Sequence, residues 1–265
     1  MDELSKDMVM TFYNFLNENF IFHPDGRIFR FNSKLGFFIY DQEMKYIKSI
    51  ITGDIHKILT FGNIFINNEN RMIIFDHEHN EILIYYEGQE FRLLKKYTFR
   101  ISRLWPHNNI IIERKRNRIY FNLDDQIFIG SLDKMDFQDK VIIDSINNRF
   151  IKSMAIDEDK DMLYMFVDSE IFIFRIEDEN LIMFENKNLN IEDHYRHMLI
   201  CNDKKFLFYG INHVCIMNNK FEIIRKVQIK EWNVKKIIQN PKNNNFIITY
   251  TDKQHVHHFK IIPQF

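Results

Sequence analysis

Glycine and proline are scarce in this sequence, 7 and 4 among 265 residues, and Ala155 is its sole alanine. So few glycines exclude a collagen-like or low-complexity chain. No Gly-rich phosphate loop, no Gly-x-Ser-x-Gly elbow and no Cys-x-x-Cys pair occurs, which removes the usual nucleotide-cradling, nucleophile-elbow and thiol-redox motifs. Cys201 and Cys215 are the only two cysteines. Two in a chain this long make no disulfide framework, and both are expected to be reduced core residues. No run approaches the ~18 apolar residues needed to cross a bilayer. The first 19 residues carry Asp2, Glu3 and Asp7 and no basic leader, so neither a membrane span nor a signal peptide is expected and the expected address is cytoplasmic, with the nucleus as the alternative. A strong net charge is missing too. Lys and Arg number 36 against 37 Asp and Glu, so no whole-molecule field draws the chain to nucleic acid or an anionic membrane, and any such binding has to be local.

Aromatic residues, in contrast, are abundant: 27 Phe and 11 Tyr in a chain that is 45% hydrophobic give ample material for a core. They fall into a repeat. Strands reading RIFRF, RMIIF, RIYFN, DMLYMFV, KFLFYGI and NFIITYT begin near residues 28, 72, 119, 162, 206 and 246, a period of roughly 40 to 47 residues that suits four-stranded propeller blades. Each is followed across a polar turn by a second strand (GFFIYD, EILIYY, QIFIGSL, EIFIFRI, HVCIMN, HVHHFKI), as hairpins require. The apolar runs are near-continuous, which fits strands covered on both faces. The expected fold is therefore all-β, a six-bladed propeller in one domain over 1–265, with four-stranded antiparallel blades at about 19–51, 55–99, 100–144, 149–190, 194–230 and 233–265. The last repeat is short of a strand, because only Ile262-Pro263-Gln264-Phe265 follows its third. Residues 1–18 read in two ways. Met8-Val9-Met10-Thr11-Phe12 can close the ring as a strand, or Leu4, Met8, Phe12 and Leu16 can line one face of a short capping helix.

At three places the chain resembles the WD40 repeat superfamily in a degenerate form. His23-Pro24-Asp25-Gly26 is similar to that repeat's Ser-Pro-Asp-Gly turn, and Tyr40-Asp41 stands where Trp-Asp closes the third strand. Residues 151–176, with Asp157, Asp161 and Asp168, follow the family's strand order and spacing, as do Val234 to Phe259 with Pro241 and Asp252. Gly-His and Trp-Asp dipeptides are absent, so the family's buried His/Asp network is not expected in most repeats. The resemblance implies a rigid scaffold that presents loops to protein partners, commonly as one subunit of a larger assembly, without catalysis.

Candidate sites are local. Arg114-Lys115-Arg116 with Arg118 form the densest basic run, at the first hairpin tip of the third repeat, with Arg100 and Arg103 just before it. Such a tip can dock RNA or an acidic peptide, or it can be a solvated turn. Asp157-Glu158-Asp159, with Asp161, sit at the equivalent tip of the fourth repeat, with Glu177-Asp178-Glu179 expected on the same face. Opposite charge on neighbouring blades would orient a partner, though Asp-rich tips also simply favour turns. Trp232, between repeats, is the better aromatic anchor, and Trp105 reads as core. His77, His79, His194, His197, His255, His257 and His258 do not make a convergent ligand set, so no metal, cofactor or catalytic residue is expected. The expected function is a non-enzymatic protein–protein scaffold within a protein or ribonucleoprotein complex, with no membrane contact and no small-molecule substrate. The alternatives are an RNA-contacting subunit working through residues 114–118 and a propeller hydrolase with carboxylates in its channel.

Overall fold

The fold is that of a computed structural model, described for residues 10–11, 19–23, 25–32, 36–50, 64–66, 71–76, 81–87, 91–98, 110–123, 126–134, 140–142, 146, 149–178, 180–192, 194–229, 233–253 and 257–262. After the two-residue strand β1 (Met10–Thr11), blade 1 comprises β2 (Asn19–Phe22), β3 (Ile28–Asn32), β4 (Gly36–Tyr40) and β5 (Tyr46–Ile50). Blade 2 comprises β6 (Ile64–Ile66), β7 (Arg71–Asp76), β8 (Glu81–Glu87) and β9 (Phe91–Thr98). Blade 3 is β10 (Ile110–Glu113), β11 (Arg118–Leu123), β12 (Gln126–Ser131) and β13 (Lys140–Ile142); blade 4 is β14 (Ile151–Asp157), β15 (Met162–Val167), β16 (Glu170–Glu177) and β17 (Asn180–Asn188). Blade 5 is β18 (Tyr195–Ile200), β19 (Phe206–Gly210), β20 (His213–Met217) and β21 (Ile223–Gln228), and the chain ends in β22 (Asn233–Gln239), β23 (Phe246–Thr251) and β24 (His257–Ile262).

Six four-stranded antiparallel sheets result, but they are not alike. Five are each made from one contiguous stretch; the last is composite, in the order β1-β24-β23-β22. The expected six-bladed ring is thus corrected to five blades that are each complete in one contiguous stretch, with a last sheet that takes a strand of only two residues from the other end of the chain. β6 and β13 are also short, three residues each. The capping helix is corrected as well. Met10 and Thr11 pair with Phe259 and His258, and no helix occurs among the described residues. An open β24 edge would leave backbone donors and acceptors unpaired, and a strand satisfies them where a helix could not. Leu4, Met8, Phe12 and Leu16, which suggested the helix, lie outside the described residues.

The alternation of side chains along each second strand explains the continuous apolar runs. On β15, Leu163, Met165 and Val167 pack with Tyr120, Ile127 and Ile129 of blade 3, while Tyr164 and Phe166 pack with Phe206 and Phe208 of blade 5. On β19, Leu207 and Tyr209 turn the other way, toward Ile237, Phe246 and Ile248 of the composite blade. That blade's Ile247 and Phe259 meet Phe20, Ile28 and Tyr40 of blade 1, with the Phe20 and Phe259 rings 4.9 Å apart, so the two ends of the chain are joined by a core as well as by β1. A strand whose two faces serve two different cores has no polar face to show. Each buried Phe, Leu or Ile contributes about 1.5–3 kcal/mol, so the stability of a blade lies largely in its neighbours.

Among the described residues, five hairpins that leave innermost strands share one face and turn by the same device, a left-handed residue: Gly26 (φ 94°), Asn117 (52°), Asp161 (52°), Lys204 (63°) and Asn244 (57°). Gly, Asn and Asp accept that backbone readily, while Lys204 does so at a cost that its ion pairs must offset. At Gly26 a side chain would also meet Gln42, whose amide nitrogen donates to the Asp25 carbonyl at 3.3 Å.

Candidate functional site

The innermost strands β2, β10, β14, β18 and β22 surround a channel, and the hairpins that follow them form its rim. A cavity of about 530 Å³ occupies the channel below the rim. Its wall is apolar, with Phe22, Ile111, Met154, Ile156, Met198 and Ile238 among its residues, and its mouth carries Arg114, Asp157, Glu158, Asp159, Asn202 and Lys204.

The two charged hairpin tips of blades 3 and 4 do share this rim, and they bind each other. The Arg114 backbone N–H donates to Glu158 Oε1. Lys115 Nζ lies 2.9 Å from both Asp161 carboxylate oxygens, and Arg116 Nη1 is 2.9 Å from Asp161 and also bonds Glu113. From the other side, Lys204 of blade 5 reaches back to Asp157 (2.9 Å) and to Asp159. Asn202 continues the chain of contacts. Its N–H donates to Gln239 Oε1 (2.7 Å), and its amide nitrogen donates to the Asn240 carbonyl (2.9 Å) and Asn244 Oδ1 (3.0 Å). Polar contacts therefore run from blade 3 through blades 4 and 5 to the composite blade. Lys115 and Arg116 hold the Asp161 carboxyl below its ordinary range, and Lys204 does the same to Asp159.

Under these exposed pairs lie two buried carboxylates: Glu113, which the sequence reading did not single out, and Asp157, which it placed in the acidic tip. Glu113 is 0% exposed, with its Oε2 accepting from the Tyr120 hydroxyl at 2.8 Å and its Oε1 accepting from Arg116. Burial first and the Glu113 charge next push the Tyr120 hydroxyl upward. Asp157, 3% exposed, stands at the same place in blade 4 between Lys204 and Lys160. Both residues end an innermost strand. Arg118 begins β11, opposite Glu113. Trp232, Trp105, Arg100, Arg103, His77, His79 and His255 fall outside the described residues. Among the described histidines, His258 Nε2 lies 2.7 Å from Asp252, and no group of three or more His, Cys, Asp and Glu is placed to hold a metal.

A second recurring feature lies at the start of three innermost strands. β14, β18 and β22 each carry a β-bulge at the same point, after Ile151, Tyr195 and Val234, and the extra residue is basic each time: Lys152, Arg196 and Lys235. A bulge puts two residues opposite one and swings the strand. Lys152 is buried and donates to the Asp168 carbonyl at 2.7 Å, whereas Arg196 and Lys235 are exposed. The residues that follow are Ser153, His197 and Lys236. Ser153 Oγ accepts from the Met198 N–H at 3.0 Å, tying β14 to β18. His197 stacks on Tyr209, with centroids 4.8 Å apart. Burial, then the charges of Lys236 and Arg196, bring its pKa down to about 4. Lys236 lines the cavity, and burial lowers its pKa to about 8. The signal for this layer was present in the sequence as Ile-Lys-Ser-Met, Tyr-Arg-His-Met and Val-Lys-Lys-Ile at corresponding points of three repeats.

No family model and no curated protein sequence matches the chain. Solved structures do resemble it in fold. A streptogramin B lyase superposes with a TM-score of 0.62 at 13% identity, covering 97% of this chain and 86% of the other. The β-propeller domain of Myceliophteria thermophila Cps50 (Swd1) gives 0.61 at 8% identity over 96% and 99%. A catalytically inactive virginiamycin B lyase from Staphylococcus aureus with quinupristin gives 0.61 at 11% over 96% and 88%. At such identities the likeness is one of fold, and what the chain is similar to is the β-propeller, in a WD40-type protein and in lyases alike.

Proposed function

We propose that the protein is a non-enzymatic interaction scaffold, one subunit of a larger intracellular assembly, cytoplasmic in address, that holds a protein partner on its perimeter. The observation that carries this reading is the outermost strands of blades 4 and 5. β17 exposes Ile182 (42%), Met183 (43%) and Phe184 (62%), and β21 exposes Ile223 (43%) and Ile224 (53%). Adjacent blades thus place consecutive apolar side chains on an outer edge, where no neighbouring blade covers them. Contiguous exposed apolar surface on a folded chain marks an interaction site more often than it occurs by chance. Lys187, Arg225 and Lys226 on the same strands fit an edge guarded against indiscriminate strand pairing. At the channel mouth, by comparison, Asp157, Asp159 and Asp161 each carry a cationic partner, an arrangement that favours a structural use of these carboxylates over acid–base work.

The test is affinity capture with the full chain, run side by side with Phe184→Asp/Ile224→Asp and with Arg114→Ala/Lys115→Ala/Arg116→Ala. A defined set of proteins held by the wild type and by the hairpin variant but lost from the perimeter variant is expected. Capture that survives the perimeter change overturns the reading. Capture that is lost from the hairpin variant and is sensitive to ribonuclease replaces it with an RNA-contacting subunit.

A further inference from the structure

Lys236 is the charged residue of the cavity's inner wall. The other charged lining residues belong to the rim, where Lys204 holds Asp157 and Asp159 and Glu158 receives the Arg114 N–H. Lys236 lies four residues before Asn240, at which the rim turn begins, so it sits about 13 Å down the strand at ~3.3 Å per residue. Among the described residues its ammonium has neither a hydrogen-bond nor an ion-pair partner. Its sequence neighbour Lys235 is cationic too, and the Lys236 charge, together with that of Arg196, acts on the neutral ring of His197. An unpaired ammonium in an apolar wall is costly, and a group kept at such a cost, facing a cavity, is a candidate for ligand binding. The volume of about 530 Å³ lies within the range of small-molecule pockets, which are mostly apolar with a few placed polar groups.

We propose that the channel binds a small organic anion with an apolar body, its charged group held by Lys236 and its body lying against Met154, Ile156, Met198 and Ile238. The Lys236 ammonium turns metal ions away. The carboxylates of Asp157, Glu158 and Asp159 at the mouth disfavour polyanions such as nucleic acid, leaving a single anionic head on an apolar stem as the chemistry that fits both ends. This site is separate from the perimeter surface, and either can hold without the other.

The full chain titrated with anilinonaphthalene sulfonate should show saturable fluorescence that decanoate displaces and decanol, at equal concentration, does not. Lys236→Met, which keeps the length and removes the charge, should weaken decanoate at least about tenfold, in line with the loss of a charge-assisted hydrogen bond. Lys236→Arg should stay within about threefold of the wild type. A thermal melt run on each variant separates loss of the site from loss of the fold, and the comparison of decanoate with decanol on the wild type decides without any variant. Equal displacement by decanol, or an unchanged affinity in folded Lys236→Met, overturns the proposal. Inorganic phosphate displacing the probe as well as decanoate does overturns the apolar part of it.

Discussion

At the rim of blades 3 to 5 the charged hairpins are consumed by one another, while the outer strands of blades 4 and 5 leave Phe184, Ile182, Ile224 and their neighbours facing solvent. Read from the sequence, the charge runs could be partner sites or solvated turns. In the structure they pair with one another, because a hairpin tip on a ring has a neighbouring tip within reach, while the last strand of a blade has no neighbour on its outer side. Lys115 and Asp161 come from adjacent repeats, 46 positions apart, so closing the ring is what makes them partners.

The comparison breaks most sharply if the buried layer under the rim is removed. Glu113→Ala leaves Arg116 and the buried Tyr120 hydroxyl without their shared carboxylate and should cost about 3–5 kcal/mol in urea unfolding, as breaking a buried charged pair does. Glu113→Gln keeps the volume and an acceptor for Tyr120 and should cost less. Asp157→Ala should cost about 2–3 kcal/mol, with a coupling of about 1 kcal/mol to Lys204→Ala in a double-mutant cycle, since half of that pair is exposed. Equal and negligible losses at Glu113 and Asp157 would mean that the rim is ornament and the blades stand on apolar packing alone.

The bulged layer gives a pH prediction of opposite chemistry. The folded chain keeps His197 neutral down to about 4, while the unfolded chain takes up that proton near 6.5. Between those values the unfolded state binds more protons, so this contribution is complete above pH 6.5 and is lost as pH falls toward 4, by about 2–3 kcal/mol. The difference between wild type and His197→Phe should be flat above pH 6.5 and diverge below it. Lys236, at about 8 against an ordinary 10.5, weighs against the fold while charged and is relieved as pH rises through that interval. Lys236→Met should therefore raise stability at pH 7 by about 1–3 kcal/mol, a gain that a stability-neutral surface lysine would not give.

Blade architecture was legible because it rests on local signals. The spacing of RIYFN, DMLYMFV and KFLFYG and the Asn117 and Asp161 turns are visible within a few residues, and a second strand serving two cores reads as a continuous apolar run. The chain ends were legible only in part. Met10 and Thr11 act as strand because β24 offers them an edge, a fact of tertiary pairing that the i+4 spacing of Leu4, Met8, Phe12 and Leu16 could not reveal. The site was less legible still. Arg114 to Arg116 and Asp157 to Asp159 were picked out as charge, but which charges neutralise which depends on blade order around the ring. Lys236 passed unnoticed because nothing in Val-Lys-Lys-Ile says that one lysine lines a cavity and the other is exposed. Only aligning the three bulged strands, with Lys152, Arg196 and Lys235 at one register, brings that layer out.

The smallest effect expected is also the one that separates the two regions most cleanly. Phe184 is 62% exposed and Ile224 53%, so replacing either with Asp removes little buried area, creates no cavity and places a charge where water already reaches it. Each change should alter unfolding free energy by no more than about 0.5 kcal/mol. Self-association of the isolated chain, read by light scattering against concentration, should fall, because a charge on an outer strand opposes edge-to-edge contact. A loss above about 1 kcal/mol would show that these side chains pack against something within the chain, and the perimeter would then have to be counted as core, with the scaffold reading losing its surface.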